Sequence, residues 1–302
     1  MIQVVGASGQ CGGALLRLLR QDGLPVRALT RGRDPAARER IERAGAQVFV
    51  GDLLDPGTLR GLFDGVDRAF LVTTPQHGFD EEVAAGLNFI AAARAQGLRH
   101  LVFLSVLYAE TDTPHCATKG RIEAALRASA VPFTILRAGY FLDSLPNYFQ
   151  REWIARGWLE SVLDPATRIH WIAIDDIATA AARVLVRDRP ENRTYDLVSP
   201  EACSMNDVAA LVAAHLGRPL NCVHTPLSIG DLLRGLVTAG YASAAAVEDY
   251  LRRIPDQQAD YHAPITRSNL QVDPQPLTRE FGLRFRAPLD FLRQLLQEGR
   301  IG

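Results

Sequence analysis

Three glycines stand at positions 6, 9 and 12 in the run Gly6-Ala7-Ser8-Gly9-Gln10-Cys11-Gly12, between the opening Met-Ile-Gln-Val-Val and a stretch from Ala14 to Arg20 that reads as a helix. The chemistry this arrangement offers is anion binding. Glycine lets the backbone turn sharply and approach a ligand closely, and the first turn of the helix presents N–H groups that have no intrahelical partner. At this spacing the expected anion is the pyrophosphate of a dinucleotide, although glycine turns also arise for conformational reasons alone. Arg31 follows directly on the second apolar run and Arg33 comes two residues later. No acid sits at that strand end to grip a ribose 2′-hydroxyl, so a cation there suits a 2′-phosphate and NADP(H) over NAD(H). Asp52 and Leu53 end the third run, where the carboxylate would accept from an adenine amino group or cap the next helix. Thr73 and Thr74 end the fourth on the same edge and would line ribose and pyrophosphate.

Those residues need a sheet to bring them together. From the N-terminus to about residue 137, short apolar runs alternate with helical stretches, the pattern of strands buried on both faces of a parallel sheet. Strands are expected at Ile2–Val5, Pro25–Thr30, Ala46–Gly51, Arg68–Val72, His100–Ser105 and Phe133–Arg137, with helices starting at Asp55 and running from Asp80 to Gln96. Alternation of this kind predicts right-handed crossovers and a doubly wound α/β fold of Rossmann type. Beyond residue 140 the pattern changes. Tyr140, Phe141, Tyr148, Phe149, Trp153 and Trp158 crowd into about twenty residues, either as a flat substrate pocket or as interdomain core. Ile169–Ile174 reads as another sheet strand, Asp175 and Asp176 as caps of the helix after it, and Thr194–Val198 as a further strand. Ser204 opens a helix to about His215, a short strand lies near Asn221–His224, residues 255–278 read as irregular cover, and Ala287–Glu298 as a final amphipathic helix. The division expected is a dinucleotide-binding domain over 1–155, with 168–190 returning to it, and a smaller substrate-binding α/β domain over 191–302.

Composition narrows the classes. The 302 residues are 47% hydrophobic, enough for a large core, and 33 cationic against 34 anionic side chains, with no long run of like charge, argue against nucleic acid or a membrane surface as the partner. No leader and no span of about 18 apolar residues is evident, so a soluble cytoplasmic protein is expected. Cys11, Cys116, Cys203 and Cys222 are scattered without metal-type spacing, which suits a reducing compartment; no metal is expected. An apolar helix could pair between subunits or pack internally, which leaves a homodimer open.

Taken together, the chain resembles the atypical short-chain dehydrogenase/reductases, in particular the group around the regulator NmrA and the NADPH-dependent quinone reductases. The resemblance rests on VVGASGQCGG, ALTRGR, VGDLLD, LVFLSV, PHCATKGRIEAALRASAVPFTILRAGYFLDSL and IAIDDIATAAARVL, and covers nearly the full length. It implies an NADP(H)-binding Rossmann domain and a small C-terminal domain closing over the nicotinamide. The superfamily places a tyrosine and a lysine four residues apart on one helix; this chain has His115-Cys-Ala-Thr-Lys119 instead. By that resemblance Lys119 holds the nicotinamide ribose. His115 supplies a proton, contacts the substrate, or merely begins a helix after Pro114, and Ser105 bonds the reacting oxygen or the nicotinamide carboxamide. Gly139, Tyr140 and Phe141, after Arg137, would floor the nicotinamide site. The activity implied is hydride transfer from NADPH to a small or medium, aromatic or quinone-like carbonyl or enone. The alternative is a non-catalytic NADP(H) sensor of the NmrA type; an epimerase of nucleotide sugars is disfavoured by the missing tyrosine.

Overall fold

Seven strands form one parallel sheet in the order β10-β6-β5-β4-β1-β2-β3. They are β1 (Ile2–Val5), β2 (Val26–Thr30), β3 (Gln47–Val50), β4 (Arg68–Val72), β5 (His100–Val106), β6 (Phe133–Ala138) and β10 (Arg193–Leu197). The computed structural model describes residues 1–75, 78–148, 154–187, 190–238, 244–253, 272–273 and 275–300. Helices α1 (Gln10–Gln21), α2 (Pro35–Arg43), α3 (Phe79–Ala95) and α4 (Pro114–Ala128) connect the strands. Because β2 and β4 flank β1 on opposite sides, the winding reverses at β1, and a crevice opens at the carboxyl ends of β1 and β4.

The sheet is covered on both faces. On one side α1 packs against α5 (Ile174–Leu185) over Val4, Phe70, Val102 and Leu136; on the other, α3 and α4 cover Ala69, Leu71, Phe103 and Ile135. Alternate residues of each strand thus reach opposite layers, which is why the strand sequences are apolar throughout rather than alternating. Helices α3 and α4 approach closely at Gly86, where a Cβ would lie 2.8 Å from the Ile122 side chain.

A second core gathers Leu142, Leu145, Ile154, Trp171, Met205, Val208 and Leu292. It joins α6 (Met205–Leu216), opened by a capping box between Ser204 and Asp207, to α10 (Pro288–Gln297), with α9 (Gln275–Phe281) packed on β10. The parallel pair β8 (Trp158–Ser161) and β11 (Asn221–His224) belongs to this part. Helices α7 (Ile229–Thr238) and α8 (Ala244–Arg253), for which the sequence pattern gave no expectation, bury Leu233, Val247 and Leu251 against Phe79.

Several expectations change. The stretch at Ile169–Ile174 does not enter the large sheet: β9 (Trp171–Ile172) pairs with β7 (Tyr140–Phe141), and Ile169 makes an isolated antiparallel bridge to Cys203. The chain leaves β6 at Gly139, where a Cβ would run into the His170 carbonyl, so only glycine permits this crossing. The helix expected at Asp55 is one 3-10 turn, Pro56–Leu59, capped by the Asp55 carboxylate. Asp175 and Asp176 lie in the first turn of α5, but the carboxylate that caps Ile174 N–H, at 2.8 Å, belongs to Asp143. The boundary drawn at 190/191 falls just before β10, and β10 is the edge strand of the large sheet. Phe149, Trp153, His262 and most of 255–278 lie outside the described residues.

Candidate active site

The crevice at the switch in strand order is a cavity of about 630 Å³. Gly6, Ser8, Gly9, Gln10, Cys11 and Gly12 form its floor, with Ala7 buried beneath them. Gly6 takes a positive φ of 77°, and a Cβ on Gly12 would collide with the Gly6 carbonyl, so the turn can neither widen nor carry a side chain there. Helix α1 has no side-chain cap and no acid in its first turn, which leaves the positive end of its dipole to an external anion. Burial, then the nearby Asp143 carboxylate, push the Cys11 thiol up to about 12; burial does the same to Cys116. Neither is a reactive thiolate.

One arm of the cavity ends at Arg31, Arg33 and Asp34, with Asp52, Leu53 and Leu54 facing them. Arg33 reaches Asp52 at 3.4 Å, and Asp52 also accepts from Leu54 N–H at 3.0 Å, so its carboxylate shapes its own turn as well as the wall. The other arm is lined by Thr73, Thr74, Glu82, Ser105, Val106, Lys119 and Phe141. Here the charges are held mainly by side chains. Lys119 Nζ donates to Thr73 O at 2.5 Å, to Thr73 Oγ1 at 2.8 Å and to Glu82 Oε1 at 2.6 Å, which uses its three protons. Thr73 Oγ1 donates to the same Glu82 oxygen, and Thr118 Oγ1 lies 2.9 Å from the other. Ser105 Oγ donates to Glu123 Oε1 at 2.6 Å. Glu123 is clamped by Arg137 through two bonds of 2.9 and 2.6 Å and by Arg127 at 2.8 Å. Burial pushes the Glu123 carboxyl up, but the bonds from Arg137, Ser105 and Arg127 outweigh it and hold it below the usual carboxylate range.

Of the residues expected at the site, Gly6, Ser8, Gly9, Gln10, Cys11, Gly12, Arg31, Asp52, Leu53, Thr73, Thr74, Ser105, Lys119 and Phe141 share this wall, whereas Ala7, His115, Gly139 and Tyr140 do not line it. His115 begins α4 one turn above Lys119, with Nε2 3.3 Å from the Cys116 sulfur. Tyr140 packs edge-on against Trp171 and Tyr108 with ring centres 5.9 and 6.4 Å apart, so this part of the aromatic cluster is core. Arg137 pairs with Glu123 and Glu110 rather than flooring the cavity. Sequence reasoning passed over Glu82 and Glu123. Their signal was present: each is an acid among buried apolar helix positions, Glu82 beside Phe79, Val83 and Gly86, Glu123 beside Ile122 and Leu126.

The family model described as NmrA-like family matches residues 1–255. The chain belongs to the NmrA-like family. An NAD(P)H azoreductase from Xenophilus azovorans is 33% identical over 227 residues, 74% of this chain and 76% of that protein. A (4-alkanoyl-5-oxo-2,5-dihydrofuran-3-yl)methyl phosphate reductase from Streptomyces griseus is also 33% identical, over 91% of this chain and 94% of its own. Among solved structures, the triphenylmethane reductase of Citrobacter sp., complexed with NADP(H), superposes with a TM-score of 0.75 at 24% identity, covering 97% of this chain and 99% of that one, a likeness of fold. Among the described residues no group of three or more His, Cys, Asp or Glu could hold a metal ion, and no helix is long and apolar enough to cross a membrane.

Proposed function

We propose that this NmrA-like chain is an NADPH-dependent oxidoreductase that passes hydride to a small or medium, aromatic or quinone-like carbonyl or enone acceptor. The observation that carries the reading is one cavity that joins a glycine turn at the uncapped start of α1 to two arginines at one end and to Ser105 and Lys119 at the other. The residues fit the cofactor. Gly6, Ser8, Gly9, Gln10 and Gly12 surround the pyrophosphate at the uncapped start of α1; Arg31 takes the 2′-phosphate, with Arg33 beside it; Asp52 and Leu53 face the adenine; Thr73, Thr74 and Lys119 face the nicotinamide half. When bound, NADPH supplies the hydride. The relatives named above are reductases, two of them named with NAD(P)H or NADP(H), which supports the same reading.

The proton economy of the inner arm narrows the acceptor. The Ser105 proton is given to Glu123 and the three Lys119 protons to Thr73 and Glu82, while His115 stands off the wall. We therefore do not assign His115 as the acid. The inner arm positions an acceptor and lets water protonate the product, which suits electron-poor acceptors that need little acid help. The balanced charge supports a small-molecule partner rather than nucleic acid, and the free cysteines agree with a cytoplasmic setting.

The test is NADPH titration by fluorescence beside NADH, followed by loss of nicotinamide absorbance with quinones, enones and aromatic ketones. Binding with turnover on quinones or enones, unchanged in His115→Ala, is expected. Binding without turnover on any acceptor would move the reading to a sensor, and no binding would sink it.

A further inference from the structure

Ser105 and Arg137 are register partners on the adjacent strands β5 and β6, at their carboxyl ends and on the face covered by α4. That placement decides what the Ser105 hydroxyl can do. Glu123, on α4, is buried against both, its side chain only 1% exposed, and its two oxygens carry four hydrogen bonds: Ser105 and Arg137 on Oε1, Arg137 and Arg127 on Oε2. A carboxylate accepts and never donates, so the Ser105 proton must point to Glu123. The hydroxyl lies at the cavity wall beside Leu104, Val106 and Lys119, and only its lone pairs are left to face it.

We propose that Glu123 is a positioning residue that fixes Ser105 as a hydrogen-bond acceptor, and that Ser105 reads the carboxamide amino group of the nicotinamide. A substrate carbonyl or a reduced oxyanion needs a donor, which Ser105 so held cannot be. The amide NH₂ of a nicotinamide is a donor, and it is the polar group of the nicotinamide ring that has hydrogens to give. Arg137 holds the carboxylate ionised and Arg127 holds its second oxygen, so the direction of the Ser105 bond is locked by charge rather than by the hydroxyl rotor. The inference rests on the cofactor reading above and adds which chemical group this residue recognises.

The experiment compares the affinity of NADP⁺ with that of its 3-acetylpyridine analogue, in which a methyl ketone replaces the carboxamide and the N–H donors are gone, by calorimetry and without turnover. The unaltered chain should bind NADP⁺ about threefold to tenfold tighter, the worth of one neutral hydrogen bond. Ser105→Ala should bring the two affinities together by weakening NADP⁺ and leaving the analogue unchanged. Glu123→Gln, which keeps Ser105 but frees its proton to turn, should also lower the discrimination. Equal affinities in the unaltered chain, or a preference that survives Ser105→Ala, would overturn the inference while leaving the cofactor reading intact. Failure of NADP⁺ to bind at all would overturn that reading and this inference with it. Ser105→Ala removes one oxygen and keeps the result readable should Glu123→Gln fail to fold.

Discussion

The two arms of the cavity are built by opposite means. The glycine turn takes its shape from seven consecutive residues and its charge from backbone N–H groups; the inner arm takes both from side chains that are 46 residues apart for Lys119 and Thr73 and 18 apart for Ser105 and Glu123. Outside, charge is left in water: the Arg33 side chain is 73% exposed beside Asp52. Inside, Glu82 is fully buried against Lys119. A solvated pair contributes little to stability and remains available to a ligand, whereas a buried pair costs desolvation and is stable only while its partners are complete. The first arm leaves its charges open to a ligand, and the second holds its charges within its own network.

The comparison breaks most severely at Gly12. A methyl group there meets the Gly6 carbonyl and the Ala7 amide, both backbone, so neither can swing aside. Gly12→Ala should abolish NADPH binding at a concentration that saturates the unaltered chain, and equilibrium dialysis decides it; retained binding would show that the turn is not the anion cradle. Next comes the inner arm. Glu82→Ala strands the Lys119 ammonium in a buried site and should cost about 3–5 kcal/mol of folding stability in urea unfolding. Replacing both, with Glu82→Leu and Lys119→Met, should recover most of that loss while cofactor binding stays weak. A smaller effect is expected at the outer charges. Arg31→Asp should shift the preference for NADPH over NADH by about tenfold to a hundredfold, the scale of a charged hydrogen bond, without changing stability. An unchanged preference would remove Arg31 from the 2′-phosphate site.

The same contrast explains what could be read from the sequence. The six strands up to residue 138 were legible because each is a contiguous apolar run between turn signals, and β1, β4 and the glycine turn fall where the pattern puts them. The outer arm was legible for the same reason: the residues that line it fall in short contiguous runs. The inner arm was legible only in part. Lys119 and Ser105 were read through the resemblance, but Glu82, on α3, and Glu123, a turn further along α4, which hold them, lie far from their partners in sequence, and no local pattern pairs residue 82 with 119 or 105 with 123. For His115 the four-residue spacing holds, on the same face of α4 as Lys119 and one turn higher, but it is not among the residues that line the cavity. Beyond residue 140 the short pairings β7–β9 and β8–β11 depend on contacts made across the chain, and an apolar run such as Ile169–Ile174 reads alike whether it joins a large sheet or a two-residue one.

The cap of α5 sharpens this contrast at its smallest scale. Local reading chose Asp175 and Asp176, which stand where first-turn acids stand, yet the bond to Ile174 N–H comes from Asp143, 31 residues away, and the position before Ile174 is an alanine with no cap to offer. Asp143→Ala should therefore cost about 1 kcal/mol, the usual worth of a helix cap. Asp175→Ala, whose carboxylate is 76% exposed and 3.5 Å from Arg286, should stay within about 0.5 kcal/mol. Asp143 also lies two residues past Phe141, the last residue of the inner wall, so losing its bond should loosen that wall and weaken NADPH binding modestly, which Asp175→Ala should not do. Asp143→Asn keeps an oxygen to accept from Ile174 and should restore most of the stability. If instead Asp175→Ala proved the costlier change in thermal unfolding, the helix would be held by its own first turn, and the inner wall would owe nothing to the long-range link.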